Sequence, residues 1–402
     1  MLPVRICSNA SRSVGCPEIL ASRLCRRHRS LAAARPKDPR ASCDMKKRAL
    51  STTAQTAPPT HPEVVFSGIQ PTGVPHLGNY LGALKQWVEM QNAAPPETKL
   101  LFCVVDLHAI TQPQNPEELR RRRRETMAML LAIGLRPERC VIFEQSRVSA
   151  HAMLMWILTT LAPVNLLARQ TQWKTKLAAS EVRSPLDPDG SSKLKLGLFS
   201  YPVLQAADVL LYKTTFVPVG EDQVQHLELA RSLAGKFNRT FGETFPIPRV
   251  RLAPAKRVMS LSHPTVKMSK SGAANSQINL DHSEEEIRKR IKTALTDSTT
   301  IITYEPEKRP GVSNLIEILG HMTQRSDFEA IGRECAGLSM KHFKERVADS
   351  VIEGMKGISE EYHRIMREGD GYLDGISREG AEKANELANR TMDDVMRAVG
   401  MR

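Results

Sequence analysis

A doubly wound α/β domain with a parallel sheet, followed by an all-helical segment, is the architecture this 402-residue sequence predicts. Three observations carry it. Short apolar runs alternate with helix-period segments between Val64 and Phe237. A glycine-containing turn joins the first run to the first helix. Beyond about residue 281 the apolar runs stop while helix-period segments continue.

Taken in order, Val64-Val-Phe66 reads as a short strand that ends in Ser67-Gly68. After it, Leu77, Tyr80, Leu81, Leu84 and Val88 recur at helical spacing, so one face of that helix packs on a sheet. Leu100 to Val105 is a continuous apolar run, the mark of a central parallel strand buried on both sides. Asn115-Pro116 opens the next helix with an N-cap and a first-turn proline, and Gly134 closes it. Val141-Ile-Phe143 is the third strand. Residues 180–197, with Ser184-Pro and Asp187-Pro-Asp-Gly190, predict a long loop. A helix resumes at Tyr201 and runs to Leu211, Thr215 to Val219 is a strand, and Val224 to Phe237 a further helix. The helical segment then comprises Glu284–Ala294, Val312–Met322, Asp327–Gly337, Met340–Met355, Ile358–Met366 and Arg378–Val399. No internal repeat interrupts this order. The expected division is a leader and linker at 1–61, an α/β catalytic domain at 62–280 and a helical domain at 281–402.

The net charge of +13 is concentrated at the front: residues 1–50 carry +9 of it, leaving a mildly basic body. Isoelectric point is therefore no argument for RNA binding by the chain as a whole. The front segment is rich in Arg, Ser and Ala and poor in acids, and it sets Ile19, Leu20, Leu24 and Leu31 among Arg23, Arg26, Arg27 and Arg29. That is the composition of a transit peptide, with import to the mitochondrial matrix as the expectation; a basic tail touching nucleic acid is the alternative. No apolar run approaches the roughly 18 residues of a membrane span, so no membrane association is expected. Four of the seven cysteines lie in the front segment, and Cys103, Cys140 and Cys335 are widely spaced without a C-x-x-C pair. Buried free thiols, with neither a metal site nor a disulfide framework, are expected.

Two segments carry chemistry. In Gln70-Pro-Thr-Gly-Val-Pro-His76-Leu-Gly78-Asn79, glycines remove side chains where a backbone must approach a flat or anionic ligand, and the helix start aims free N–H groups at it. Taken alone this is equally a plain helix N-terminus. In Lys267-Met268-Ser269-Lys270-Ser271, two ammonium groups three residues apart can clamp nucleotide phosphates as charge moves toward pyrophosphate. Taken alone this is equally a solvated loop.

Together, in this order and on this kind of fold, the two segments resemble the HIGH and KMSKS elements of class I aminoacyl-tRNA synthetases. Phe66-Ser-Gly-Ile-Gln70-Pro-Thr-Gly, Val105-Asp-Leu-His108-Ala-Ile-Thr111, Tyr201-Pro-Val-Leu-Gln205-Ala-Ala-Asp208-Val-Leu-Leu-Tyr212 and Val217-Pro-Val-Gly220-Glu221-Asp222-Gln223 resemble the tryptophanyl-tRNA synthetases of the bacterial and mitochondrial branch. The likeness extends from about residue 64 to the end. It implies an ATP site of Gln70, His76, Gly78, Asn79, Gly220, Glu221, Asp222 and Val258, with Lys267, Met268, Ser269, Lys270 and Ser271 on the phosphates. Lys174 and Lys176 would reach the phosphates as the site closes. Of these, Gln70, His76, Asn79, Lys267 and Lys270 are the expected catalytic set, with no protein-bound metal. The tryptophan pocket would be Asp208, accepting the indole N–H, with Phe66, His108, Tyr201, Gln205, Val217, Val219 and Gln223. Mg²⁺ would accompany ATP, tRNA(Trp) and L-tryptophan would be the other substrates, and the enzyme would be a homodimer whose helical domain reads the anticodon.

Asp208 has independent support, because a carboxylate inside the apolar helix Ala206-Ala-Asp-Val-Leu-Leu needs a partner. A buried donor elsewhere in the fold meets that need as well as a ligand does. Asn79 stands where the wider class has His, as is usual in the tryptophan and tyrosine branch. Gly272 stands where the family commonly has Asp, and is expected to loosen the lysine loop. Arg120–Arg124 points all round a helix and reads as a solvated face, whereas Arg288, Lys289, Arg290, Lys292, Lys341, Lys344 and Arg346 are better placed for RNA. Three alternatives share parts of this pattern: a tyrosine enzyme, a nucleotidylyltransferase, and a non-catalytic RNA-binding scaffold.

Overall fold

The computed structural model describes residues 62–170, 194–220, 223–252, 258–270 and 272–402. Five parallel strands run β1 Val64–Ile69, β2 Lys99–Val104, β3 Val141–Glu144, β4 Phe216–Val219 and β5 Arg249–Leu252, in the spatial order β3-β2-β1-β4-β5. The fold is the expected Rossmann-like α/β sheet with a helical C-terminal region. Alternation along the strands splits the core into two layers. Val65, Leu100, Phe102 and Val104 face one way, and Phe66, Leu101, Cys103 and Phe143 the other.

The first layer is covered by helix α1, spanning 77–93 with a π-helical stretch at Tyr80–Leu84, and by α3 Pro116–Ala132. Trp87 of α1 stacks on Phe102 at 4.7 Å between centroids. Between them the short α2 Asp106–Ala109 leaves the end of β2. Asn115 caps α3 as expected, accepting from the N–H groups of Glu117 and Glu118. The second layer is covered by α4 Ala150–Thr159, α5 Val164–Ala168, α6 Leu196–Leu210 and α7 Val224–Phe241. Cys103, Cys140 and Cys335 are buried free thiols.

The helical region comprises α8 Glu284–Lys292, α9 Pro310–Met322, α10 Phe328–Cys335, α11 Met340–Gly354, α12 Ile358–Arg367 and α13 Asp370–Ala398. It is not set apart by a core of its own. Leu315, Val351 and Ile365 belong to the same apolar cluster as Leu81 and Phe102, while Ala384, Ala388 and Val395 of α13 pack with Phe143 and Leu154 on the opposite layer. α13 begins well before the expected Arg378 and lies against β3. At Gly380 a Cβ would overlap the Ile142 carbonyl oxygen, so only glycine lets helix and strand backbones come this close.

Several local expectations are corrected. α6 starts at Leu196, inside the segment expected to be loop, buries Leu198 and Tyr201, and keeps Pro202 within it. The strand β5 and helices α4 and α5 carry no turn or cap signal strong enough to be read beforehand. In β5 the sequence Arg-Val-Arg-Leu does alternate, and Arg251 lies 4.7 Å from the centroid of the Phe216 ring. The arginine run is only partly a solvated face. Arg121 and Arg122 pair with Glu125 and Glu118 along the helix, but Arg123 turns inward to Asp106 (2.9 Å) and Glu144 (2.8 Å). No helix among the described residues is long and apolar enough to cross a membrane.

Candidate active site

The strand order reverses between β1 and β4, and loops leaving the carboxyl ends of those two strands open a crevice, the place where doubly wound sheets take ligands. The cavity there has a volume of about 710 Å³, inside the range of small-molecule sites, roughly 300–1,000 Å³. Its lining gathers the whole expected amino-acid pocket: Phe66 from β1, His108 from α2, Tyr201, Gln205 and Asp208 from α6, Val217 and Val219 from β4, and Gln223 just before α7. Gln70 and Gly220 of the expected nucleotide set share that lining, as do Ser67 and Gly68 of the Phe66–Gly73 motif, together with Ala83 and Trp87, which no sequence motif singled out. The edge of Tyr201 meets the ring of His108 at 6.2 Å, its hydroxyl lies 2.8 Å from His226 Nε2, and Gln205 donates to Gln223 at 3.2 Å.

Asp208 is buried, and its charge is held by the protein itself. Oδ2 lies 2.8 Å from His108 Nε2, while Oδ1 lies 2.6 Å from Gln145 Nε2 and 2.7 Å from His151 Nδ1. Burial alone would push this carboxyl up, but the hydrogen bonds from His108 and His151 outweigh it and hold the group well below the usual carboxylate range. Gln145 is oriented in turn, since its Oε1 accepts from the Leu107 N–H at 3.1 Å. Sequence reasoning found Asp208 and His108 but missed Gln145 and His151, which lie in unmarked segments.

The turn after β1 and the lysine loop meet through backbone pairing. Val258–Met268 forms a hairpin, with Met268 N–H donating to Val258 O at 3.0 Å, and Leu77 N–H donates to Ile278 O at 2.8 Å. Val258 and Met268 are buried, and Val258 lies against Gly78. His76 is the N-cap of α1: its Nδ1 accepts from Asn79 N–H, and Asn79 Oδ1 accepts from His76 N–H, a reciprocal capping box. Gly78 leaves room for this cap, since the His76 ring folds to 3.0 Å from where a Cβ would stand. Burial, then the charges of Lys270 and Lys267, push His76 down to about 4, so the ring is uncharged at neutral pH.

Lys270 reaches back across this turn. Its ammonium donates to Thr72 Oγ1 at 3.0 Å and to Gly73 O at 2.7 Å. Burial lowers it to about 8, with Arg122 in the same direction and the carboxylates of Glu125 and Asp281 opposing. Lys267 and Ser269 are exposed. At Gly272 a Cβ would stand 2.5 Å from Ser276 Oγ and 3.3 Å from Ser269 O, so a side chain there needs the Ser276 hydroxyl to turn aside. Lys174, Lys176, Glu221, Asp222 and Ser271 lie outside the described residues. Much of the basic surface expected to meet RNA is already partnered: Arg288 with Asp349 at 2.6 Å, and Lys344 with the Ala294 carbonyl at 2.8 Å.

The model of the class I tRNA synthetases (W and Y) matches residues 58–356. The chain is 43% identical over 346 residues to the mitochondrial tryptophan–tRNA ligase of Saccharomyces cerevisiae, covering 84% of this chain and 90% of that one. It is 44% identical over 339 residues to the tryptophan–tRNA ligase of Wolinella succinogenes, covering 84% and 98%. Among solved structures, the tryptophanyl-tRNA synthetase of Campylobacter jejuni complexed with ADP and tryptophan superposes with a TM-score of 0.68 at 32% identity, covering 84% of this chain and 99% of that one.

Proposed function

The chain belongs to the tryptophanyl-tRNA synthetases of class I, and from that premise we propose how its own residues join tryptophan to tRNA. The observation that carries the proposal is the single cavity in which a buried, charged Asp208 stands among the apolar and aromatic surfaces of Phe66, Tyr201, Val217 and Val219, at the end of the sheet where the Gln70–Asn79 turn and the lysine loop converge. The indole fills the apolar part and donates its N–H to Asp208. A ligand without that donor leaves a buried carboxylate short of a partner, which is a strong basis for rejection.

ATP lies over the Gln70–Asn79 turn, its phosphates toward the start of α1, with Gly220, Glu221, Asp222 and Val258 around the nucleoside. The tryptophan carboxylate attacks the α-phosphorus in line; the bond to the bridging oxygen breaks, and pyrophosphate leaves with the electron pair. Lys267, Lys270 and the Mg²⁺ that arrives with the nucleotide neutralise the charge developing on the leaving group, and Lys174 and Lys176 approach as the site closes. His76, uncharged at neutral pH, and Asn79 exchange their mutual bonds for the nucleotide. The 2′-hydroxyl of the tRNA's terminal ribose then attacks the carbonyl of tryptophanyl-adenylate, the bond from that carbonyl to the phosphate oxygen breaks, and AMP departs with the electron pair, a phosphate oxygen of the AMP taking the hydroxyl proton. No protein nucleophile takes part.

Three further assignments complete the proposal. Residues 281–402 act as the anticodon-reading domain. The enzyme works as a homodimer: exposed Met153, Trp156, Val164 and Leu196 sit on α4, α5 and the start of α6, helices that pack together, and form an apolar surface suited to a second copy. Light scattering that returned a monomer at micromolar concentration would remove that assignment. The Arg-rich, acid-poor front segment directs the chain to mitochondria, in keeping with the mitochondrial relative in yeast, although bacterial relatives are equally similar. Failure of residues 1–61 to carry a reporter into isolated mitochondria would remove that one.

The reading as a whole is tested by ATP–pyrophosphate exchange from a chain starting near Pro62. Exchange is expected with tryptophan, not with tyrosine, and Asp208→Ala should lose about 10⁴-fold in kcat/KM for tryptophan. Exchange with tyrosine, or an Asp208→Ala variant as active as the parent, would overturn it.

A further inference from the structure

Asp208 has two oxygens, and the fold treats them differently. Oδ1 takes two donors, Gln145 Nε2 at 2.6 Å and His151 Nδ1 at 2.7 Å, which fills the capacity of a carboxylate oxygen. Oδ2 takes one, His108 Nε2 at 2.8 Å. The partners of Oδ1 are wholly buried and lie off the cavity, whereas His108, the partner of Oδ2, lines it beside Asp208. The open acceptor position therefore faces the substrate.

A second layer holds this asymmetry in place. His151 Nε2 lies 2.9 Å from the hydroxyl of Tyr212, in the turn after α6. Nδ1 of the same ring faces the Asp208 carboxylate, which can only accept, so Nε2 is the accepting nitrogen and the Tyr212 hydroxyl, kept protonated by burial, donates to it. A ring whose Nε2 accepts carries its proton on Nδ1, which is the tautomer that donates to Asp208. Both rings are fixed by packing: Tyr212 is stacked on Phe66 at 5.7 Å and edge-on to Phe143 at 5.7 Å, and His151 is stacked on Phe143 at 6.1 Å.

We infer that Tyr212 and His151 are positioning residues for amino-acid specificity: their relay commits Oδ1 of Asp208 to the protein and so presents Oδ2 to the indole N–H. The inference rests on the tryptophan reading given above. Without the Tyr212 hydroxyl, Nε2 of a fully buried ring loses its donor and the ring proton is no longer confined to Nδ1. The other tautomer turns a lone pair on Oδ1, and the carboxylate swings away from its substrate-facing position.

The test compares tryptophan with benzothienylalanine, which has the same shape but sulfur in place of the indole N–H, by kcat/KM in pyrophosphate exchange. The parent enzyme should prefer tryptophan by at least about 10²-fold. Tyr212→Phe should cut that preference roughly five- to tenfold, through KM for tryptophan, while the sulfur analogue changes less than about twofold. His151→Leu should do the same. His151→Asn, whose amide nitrogen can stand where Nδ1 stands, should keep the preference. Equal losses on both substrates in Tyr212→Phe and His151→Leu would mean a merely structural role and overturn the inference, as would an unchanged preference in variants of normal melting temperature. A parent enzyme with no preference would instead overturn the Asp208 reading beneath it.

Discussion

The two halves of the cleft satisfy their polar groups in opposite ways. Around Asp208 every partner is a buried side chain on a packed helix or at the end of a strand, and the partners of Oδ1 lie behind the wall. Around the lysine loop the polar groups bond to one another or to a turn: Lys270 to Thr72 and Gly73, His76 to Asn79. The first arrangement needs no change to receive an indole N–H. The second must give up its internal hydrogen bonds before a triphosphate can use the same donors. On the proposed reading, specificity is built in advance while charge handling is assembled when the nucleotide arrives, and the nucleotide contacts of His76, Asn79 and Lys270 replace bonds already made. That keeps the net gain from ground-state binding small and favours interactions that strengthen as pyrophosphate forms.

The contrast can be broken most decisively at Lys270. Lys270→Ala should lower kcat for pyrophosphate exchange by about 10²–10³, while tryptophan affinity, read by intrinsic fluorescence, stays within about twofold of the parent. Equal losses in both would mean that the halves are not separate.

A smaller effect sharpens the comparison through pH. Lys270 is lowered to about 8, and only its protonated form can neutralise phosphate charge. Because kcat/KM reports the free enzyme, the value for ATP should fall as pH rises through about 8, approaching tenfold per unit, whereas tryptophan affinity should not follow. A flat profile to pH 9.5 would remove Lys270 from that role. The His76 group titrates near 4 and so adds no break in the neutral range.

The smallest effect is expected at Thr72. Thr72→Val deletes one of the two resting partners of Lys270 and leaves the Gly73 carbonyl, so the loop should release more easily and KM for ATP should fall by up to about threefold. A KM that rises would show that Thr72 serves the nucleotide directly.

Much of this was legible in contiguous residues. The run Leu100 to Val105 marked a strand buried on both faces, and Asn115-Pro116 marked a helix start; both hold. The motifs that named Asp208, His108 and their neighbours converge on one cavity. Less legible were the four-residue β5 and the first two turns of α13. The surroundings of Gly272 were also hidden, since Ser276 comes within 2.5 Å of where a side chain would begin only in the folded chain.

By itself the sequence determined the α/β class and the parallel sheet, because periodicity, caps and turn residues are short-range chemistry written in consecutive positions, and the resemblance of its motifs gave the family. Only the tertiary structure decided that His151, 57 residues before Asp208, joins Gln145 on its inner oxygen, and that Lys270, 198 residues after Thr72, rests on that turn. Histidines, glutamines and threonines pair with many things. Which pairing occurs depends on where a packed core brings their backbones, and on the need of each buried polar group for a partner once water has been excluded.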